Sequence, residues 1–554
     1  MNSSRSSSSL FRSVLLMALL GGATGCPGPK PDPDCENQPK GCDPASNQDA
    51  GQDPVPPPDG GNNTGTPDAG NTDAGHDAGT VDPAKTLVVT QVVSHYNRKG
   101  IEAVPRDFTQ SPAELISFGG SPIQGTAVAP GQMRFNVPPG TYLVKSSSTS
   151  YFLTSARTVD LSYRRFGRPD RGGNTLPVDL FVGHPTSLEL SGLEPAPSPT
   201  GPYATRLAFN SMDLEETGSF QLSSALTEGQ TSVVDPSAGY YTEWGSIPRF
   251  DPAQGDSAWV LQTMSRDAGV PEDGGQLRTY DTVVRAAHLN PFSFDGGTLT
   301  IKADLQPAPQ QDVLFEWRRG EFDALRSASL SGNPTANGSL TILPALKDAR
   351  DGWVDYSISM LLTYRAPSRD PQTTLVRRFS YGNPYTGWEP VGEFISSYSF
   401  TLTNHDGSRI GRTSEQFTVN GPLSELTSTA IRPRVSLPRD FKVDGVPAAT
   451  PRLMGTTTPT VTWEPPTLGS VTSYTLQVLR LLDESNTLTN VARIYTSSAA
   501  RAVSLPPGLL TPGNTYALRL TANYVLSGPT DQSPLQYVTP MATASTVSGL
   551  LTVP

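Results

Sequence analysis

The 53 prolines spread along this chain set the first limit on its fold. Proline has no backbone N–H and clashes with the preceding helical turn, so few long helices survive such a density. Between the prolines lie short runs of alternating or β-branched residues, bounded by Gly, Pro, Asn and Ser. Examples are TLVVTQVV (86–93), MRFNV (133–137), WVLQTM (259–264), GTLTIKADL (297–305), DVLFEW (312–317), DYSISMLLTY (355–364) and SYSFTLTN (397–404). Such strands with turn chemistry between them predict sandwiches or barrels. The expected fold is all-β, a multi-domain array of β-sandwiches after a disordered N-terminal tether. Only RRGEFDALRSASL (318–330) has the pattern of a short helix.

The N-terminus has a different pattern. Arg5 and Arg12 precede the apolar run Val14–Leu20, and small residues follow it to Gly25. The run is too short to span a bilayer, which takes about 20 apolar residues. Residues 1–25 therefore read as an export signal. Ala23-Thr24-Gly25-Cys26 resembles the lipobox of bacterial lipoproteins, with Ala23 where that family more often has Leu. The resemblance implies that Cys26 becomes an acylated first residue. Pro27, in place of a retaining aspartate, implies the outer membrane. In an exported chain the remaining cysteines, Cys35 and Cys42, are expected to form a small disulfide loop, with free thiols as the alternative. Two thiols with no nearby histidine are too few for zinc.

Residues 26–85 are rich in Asp, Pro, Gly and Ala, and Asp-Ala-Gly recurs at 49–51, 68–70, 73–75 and 77–79. A segment with so few large apolar residues cannot offset its ordering entropy, so a disordered spacer is expected. Its flexible span is roughly 40 Å. Of the chain's net charge of −11, this segment carries −8 and the signal +2, leaving the body near −5. The aspartates lack the alternate spacing of a calcium loop. The charge sign argues against nucleic acid.

Two parts of the body resemble known modules. GQMRFNVPPGTYLVK (131–145) alternates Phe135 and Val137, turns at Pro138-Pro139-Gly140 and returns through Tyr142 and Val144. It resembles the carboxypeptidase regulatory-like and prealbumin-like β-sandwiches, and the expected domain is 86–165. At the other end, PTVTWEPP (459–466), SYTLQVLRL (473–481) and LLTPGNTYALRLTANY (509–524) place Trp463 early and Tyr516 after a Pro-Gly turn. That combination, with a tyrosine corner at Tyr516, resembles a fibronectin type III domain over 446–554. The middle divides into unassigned β-rich domains at 166–280 and 281–445. As a whole, the arrangement resembles large surface lipoproteins of myxobacteria, which implies architecture rather than an activity.

Signals of catalysis are sparse. The five histidines, His76, His95, His184, His288 and His405, form no metal-ligating pair. His184 reads as a turn residue at the end of a strand. Ser257 in GDSAW lacks the second glycine of a nucleophile elbow and the helix that should follow. Glu215-Glu216 and Asp267…Glu272-Asp273 are carboxylates close in sequence, but surface turns account for them as well. No catalytic residue, metal site or cofactor is expected. Tyr241, Trp244, Tyr385 and Trp388 lie in loop-like stretches and are the candidates for ligand contact, by stacking on sugars or anchoring a protein. The same aromatics could instead plug the ends of sandwiches.

These readings combine into a lipid-anchored protein of the outer membrane, exposed at the cell surface and acting by presentation and contact, adhesin-like or as a scaffold. Its expected partners are the membrane, through the lipid, and a polysaccharide or protein. The alternative is an exported hydrolase of envelope or extracellular polysaccharide, with its site in the middle region.

Overall fold

The computed structural model describes residues 82–97, 99–118, 120–173, 175–179, 181–269, 278–327, 335–348, 352–356, 359–366, 374–482, 484–525 and 532–554. The expected signal, Cys26, the Cys35–Cys42 pair and the tether up to residue 81 lie outside them, while the last tether residues, Pro83–Lys85, form a 3-10 turn capped by Asp82 rather than a disordered end. The described chain is all-β, with two short α-helices, Arg319–Asp323 and Leu423–Ser428. The first falls inside the expected helical stretch. Among the described residues, no helix is long and apolar enough to cross a membrane.

The first unit is a β-sandwich. Thr86–Thr90 pairs with Gln132–Asn136 on one side and Thr158–Asp160 on the other. Glu114–Ser117, Tyr142–Lys145 and Ser150–Thr154 form the facing sheet. Alternation sends Leu87, Val89, Met133, Phe135, Val144 and Phe152 into the core between them. The Pro-Pro-Gly turn is fastened from inside: the Tyr142 hydroxyl donates to the Pro138 carbonyl at 2.8 Å.

The second unit closes into a ring of strands. His184–Ser191 pairs with Val233–Thr242 and with Leu299–Asp304. The circuit continues through Glu216–Gln221, Thr205–Ser211, Ala258–Gly269 and Arg278–Leu289. Gln306–Pro307, just beyond Asp304, pairs back onto Arg285 and Ala286 and completes it. Phe209 lies fully buried at the centre, with the rings of Phe220, Tyr240, Phe250 and Phe292 at 5.5–6.1 Å. The division expected near residue 280 falls within Arg278–Leu289, which pairs along its length with Ala258–Gly269. Hairpin bonding holds both sides of that division in one unit. His184 opens a strand rather than ending one, and its Nε2 lies 2.9 Å from the Gly297 carbonyl.

The third unit is a sheet of Leu362–Ala366, Thr335–Asp348, Glu389–Thr403 and Ile410–Pro422, faced by the antiparallel pair Gln310–Trp317 and Leu375–Gly382. Its core includes Phe315, Trp317, Ile342, Tyr364, Phe379 and Phe394. The stretch expected as one strand at 355–364 is broken, because the Ser359 N–H turns back to the Tyr356 carbonyl at 3.1 Å.

The last unit is a fibronectin type III-like β-sandwich. One sheet runs Val446–Pro447, Arg439–Val443, Thr460–Glu464, Ala502–Ser504. The other runs Met541–Val547, Thr515–Val525, Ser473–Leu482, Thr487–Ser497. Trp463 and Tyr474 pack between them with ring centroids 5.3 Å apart. The Tyr516 hydroxyl accepts from the Thr511 N–H at 3.0 Å, so the tyrosine corner is formed. The unit begins before residue 446: Arg439–Val443 is already a strand, turned back at Asp444-Gly445 with both φ angles positive.

Among the described residues, strand pairings link the units into one connected hydrogen-bonded network. Ile410–Pro422 pairs antiparallel with Met541–Val547, linking the third unit to the last. Thr487–Ser497 pairs parallel with Ser150–Thr154, so the last unit meets the first edge to edge. Phe152 and Tyr495 stack across that seam at 4.9 Å.

Candidate functional site

The segment Tyr163-Arg-Arg-Phe-Gly-Arg-Pro-Asp-Arg171 joins the first unit to the second, and each of its arginines meets a carboxylate. Arg164 grips Asp348 through two nitrogens, with the Tyr96 hydroxyl on the same carboxylate. Arg165 and Arg171 converge on Glu215, and Arg171 also reaches Glu216 at 3.2 Å. Arg168 forks onto Asp256, with both bonds at 3.1 Å. Phe166, between these arginines, packs on Tyr356 and Trp388 of the third unit. His95 adds a bond from its Nδ1 to the Gly167 carbonyl at 3.0 Å, and burial lowers its pKa. Buried ions need such partners because desolvating an unpaired charge costs several kcal/mol.

Beside this junction lies a cleft of about 280 Å³, whose lining includes Lys99, Glu102, Arg168, Asp170, Asp213 and Asp256. Its deeper carboxylates are engaged. Asp213 accepts from the Ser257 hydroxyl at 2.6 Å and from the Ser257 N–H at 3.1 Å. Asp256 holds Arg168 and accepts from the Asp251 N–H at 2.7 Å. Among the described residues, no histidine lines the cleft. Among the described residues, no cluster of His, Cys, Asp and Glu could hold a metal ion. Glu215 and Glu216, adjacent in sequence, belong to the ionic junction. Glu216 is fully buried and accepts from the Tyr240 hydroxyl at 2.7 Å; burial raises its pKa to about 7, against the pull of its hydrogen bonds and Arg171. Asp267 is exposed on a hairpin, and Glu272 and Asp273 lie outside the described residues.

The four aromatic candidates divide in two. Tyr385 is only 3% exposed, so it cannot be an accessible contact. Its N–H donates to Asn383 Oδ1 at 3.0 Å and its hydroxyl bonds to Ser359, which folds the loop inward. Trp388 is half-buried against Phe166, Tyr356 and Tyr385. Both serve the junction between units. Tyr241 and Trp244 sit instead at the open end of the ring. Trp244 is 42% exposed, with the Arg171 guanidinium 5.8 Å from its ring centroid.

Next to them is a tip that sequence reasoning missed. Phe181 is 89% exposed and Val182 is 70% exposed, both held in a tight loop. Asp179 Oδ1 accepts from both of their N–H groups, at 2.7 and 3.2 Å, and the Tyr241 hydroxyl donates to the Phe181 carbonyl. The Val178 N–H donates to the Gly245 carbonyl, tying this loop to the Trp244 turn. Gly183 is required here: its φ is +77°, and a Cβ would lie 2.9 Å from the Tyr241 ring. Leaving a Phe and a Val in water forgoes about 1.5–3 kcal/mol each. The readable signal was the turn chemistry of Asp179 and Gly183 around three apolar residues.

No protein-family model matches the chain, and no curated protein matches it. Among solved structures it is similar to the crystal structure of the chicken CNTN1 FN1-FN3 domains, at 10% identity over 66% of this chain and 99% of that one. The TM-score of 0.14 is too low for that likeness to carry any argument.

Proposed function

We propose that the protein is a surface protein that works by presentation and contact, held to the outer membrane by an acylated Cys26 and touching a polysaccharide or protein through its Phe181–Trp244 end. The exposed tip carries this reading. Neighbouring apolar side chains held in water on a hydrogen-bonded loop support a contact role for this end. The paired sheet supports it as a rigid mount for that tip. No catalysis is assigned.

The test combines protease treatment of intact cells with two variants. The reading expects the body to be cleaved from outside, Cys26→Ser to leave the membrane fraction, and Phe181→Ser with Val182→Ser to weaken cell or polymer binding. A body protected until the outer membrane is broken would remove surface contact. Release of reducing ends from a bound polymer would replace this reading with a hydrolase.

A further inference from the structure

The cleft beside the junction is walled by three parts of the chain. The hairpin of Val92–Asn97 with Gly100–Pro105 supplies one wall, residues 168–170 the second, and the ring, through Asp213, Gln254 and Asp256, the third. Glu102 lies on the exposed strand Gly100–Pro105, and Lys99 and Gln254 are exposed as well, so the cleft opens to solvent. Arg168 has no capacity left: Asp256 takes its Nε and one terminal nitrogen, and Asp170 takes the other. Asp213 is held without being saturated. Its carbonyl accepts the Arg168 N–H at 2.8 Å, and both bonds from Ser257 fall on Oδ2.

The other oxygen, Oδ1, has no hydrogen-bond partner among the described residues and is not sealed from solvent, although Asp213 as a whole is only 7% exposed. An ionised carboxylate has about four acceptor positions, and a buried one ordinarily fills them. Glu102, on the opposite wall, has no hydrogen-bond or ion-pair partner among the described residues either. Four carboxylates against Arg168 and Lys99 leave the cleft with a net charge of −2. The rest of the lining is polar. Asn97 and Gln254 bring amides, and Pro169 alone among the described lining residues has an apolar side chain.

We propose that this cleft binds an amino sugar, with the ammonium donating to Asp213 Oδ1 and facing Glu102, and the Asn97 and Gln254 amides exchanging hydrogen bonds with ring hydroxyls. The negative surplus selects a cation, and an ammonium supplies the N–H donors that an open carboxylate oxygen accepts. A volume of about 280 Å³ is at the lower end of small-ligand sites and suits a single ring. The polar walls favour a ring that carries hydroxyls beside its ammonium over a lysine side chain, whose apolar stem would find only Pro169. This site stands apart from the Phe181 tip and holds whether or not that tip makes contact.

The test is calorimetric titration of the full chain at mildly acidic pH, where the amine is protonated. It uses three probes: a glucosamine oligomer, its N-acetylated counterpart and a lysine oligopeptide. The glucosamine oligomer is expected to bind at least about tenfold more tightly than either control. Asp213→Asn keeps an acceptor for Ser257 but turns an amide into the cleft, and should weaken binding by a similar factor. Glu102→Gln changes an exposed side chain and should weaken binding roughly two- to fivefold. It decides the matter alone if Asp213→Asn does not fold. Asp312→Asn, an exposed carboxylate of the third unit, should leave binding unchanged. Equal binding of the acetylated oligomer overturns the ammonium, and equal binding of the lysine peptide overturns the saccharide. Absence of glucosamine binding, or normal binding by Glu102→Gln or by a folded Asp213→Asn, overturns the site. Phe181→Ser, which tests the contact reading, should leave glucosamine binding intact.

Discussion

The arginines of the junction and those of the C-terminal sheet face have the same guanidinium in opposite surroundings. Between residues 164 and 171 each finds a carboxylate on another element: Asp348, Glu215, Glu216 or Asp256. Arg493 and Arg519 are comparably shielded and find none among the described residues. A charge withdrawn from water with its partner fixes geometry. A charge withdrawn without one leaves a desolvation cost that nothing offsets. The difference separates arginines that assemble the body from arginines that add an uncompensated burial cost to it.

Three substitutions probe that contrast in descending order of effect. Asp348→Ala should be the most damaging, because it strands Arg164 and the Tyr96 hydroxyl at the junction. Loss of a buried partner costs about 3–5 kcal/mol, readable as a lower urea midpoint. A loss under about 1 kcal/mol would mean that water reaches Arg164 and that the junction is not held by charge.

Glu393→Gln works in the opposite direction. Burial, and then the charge of Asp355, raise the Glu393 pKa from 4.5 to about 7. Between those values the unfolded chain ionises this group while the folded chain keeps it protonated, so rising pH removes stability until about 7. The glutamine variant should therefore gain on the order of 1–3 kcal/mol at pH 8, with the gain shrinking as pH falls toward 4.5 and gone below it. Melting curves at both ends of that window check the sign. A gain independent of pH would place the effect in packing.

The smallest change belongs to Lys302, which meets Glu189 at 2.7 Å on the outside of the ring with side chains 74% and 57% exposed. Lys302→Ala should shift stability by no more than about 0.5 kcal/mol, and a larger shift would show that pairing outweighs burial in this protein.

Local patterns in the sequence were readable where a strand buries one face against a nearby partner. Phe135, Val137 and Tyr142 enter the first core as the alternation requires, and Trp463 and Tyr516 take their expected places in the last. The Val443-Asp-Gly-Val446 hairpin carried a local signal, since Asp-Gly favours the positive φ angles of a tight hairpin turn, yet the expected boundary at 446 cut through it. Other features depended on distant partners. Nothing local in Ser150–Thr154 specifies Arg493–Tyr495 as its neighbour, and nothing in Gln306–Pro307 shows that it closes a ring. The aromatics make the same point. Tyr241 and Tyr385 lie in similar Gly-containing stretches, yet one supports an open tip and the other is enclosed by Ser359, Trp259 and Trp388.

The seam between Ser150–Thr154 and Thr487–Ser497 also sets a timetable for the growing chain. Phe152 and its stacking partner Tyr495 are separated by about 340 residues. At roughly 5–20 residues per second, the first sandwich is complete some 20–70 s before its outer strand can find its mate. For that interval a row of open N–H and carbonyl groups is available to any extended segment that passes. The birth order of its units thus gives this protein a window of vulnerability, which closes only when its last module arrives to cover its first.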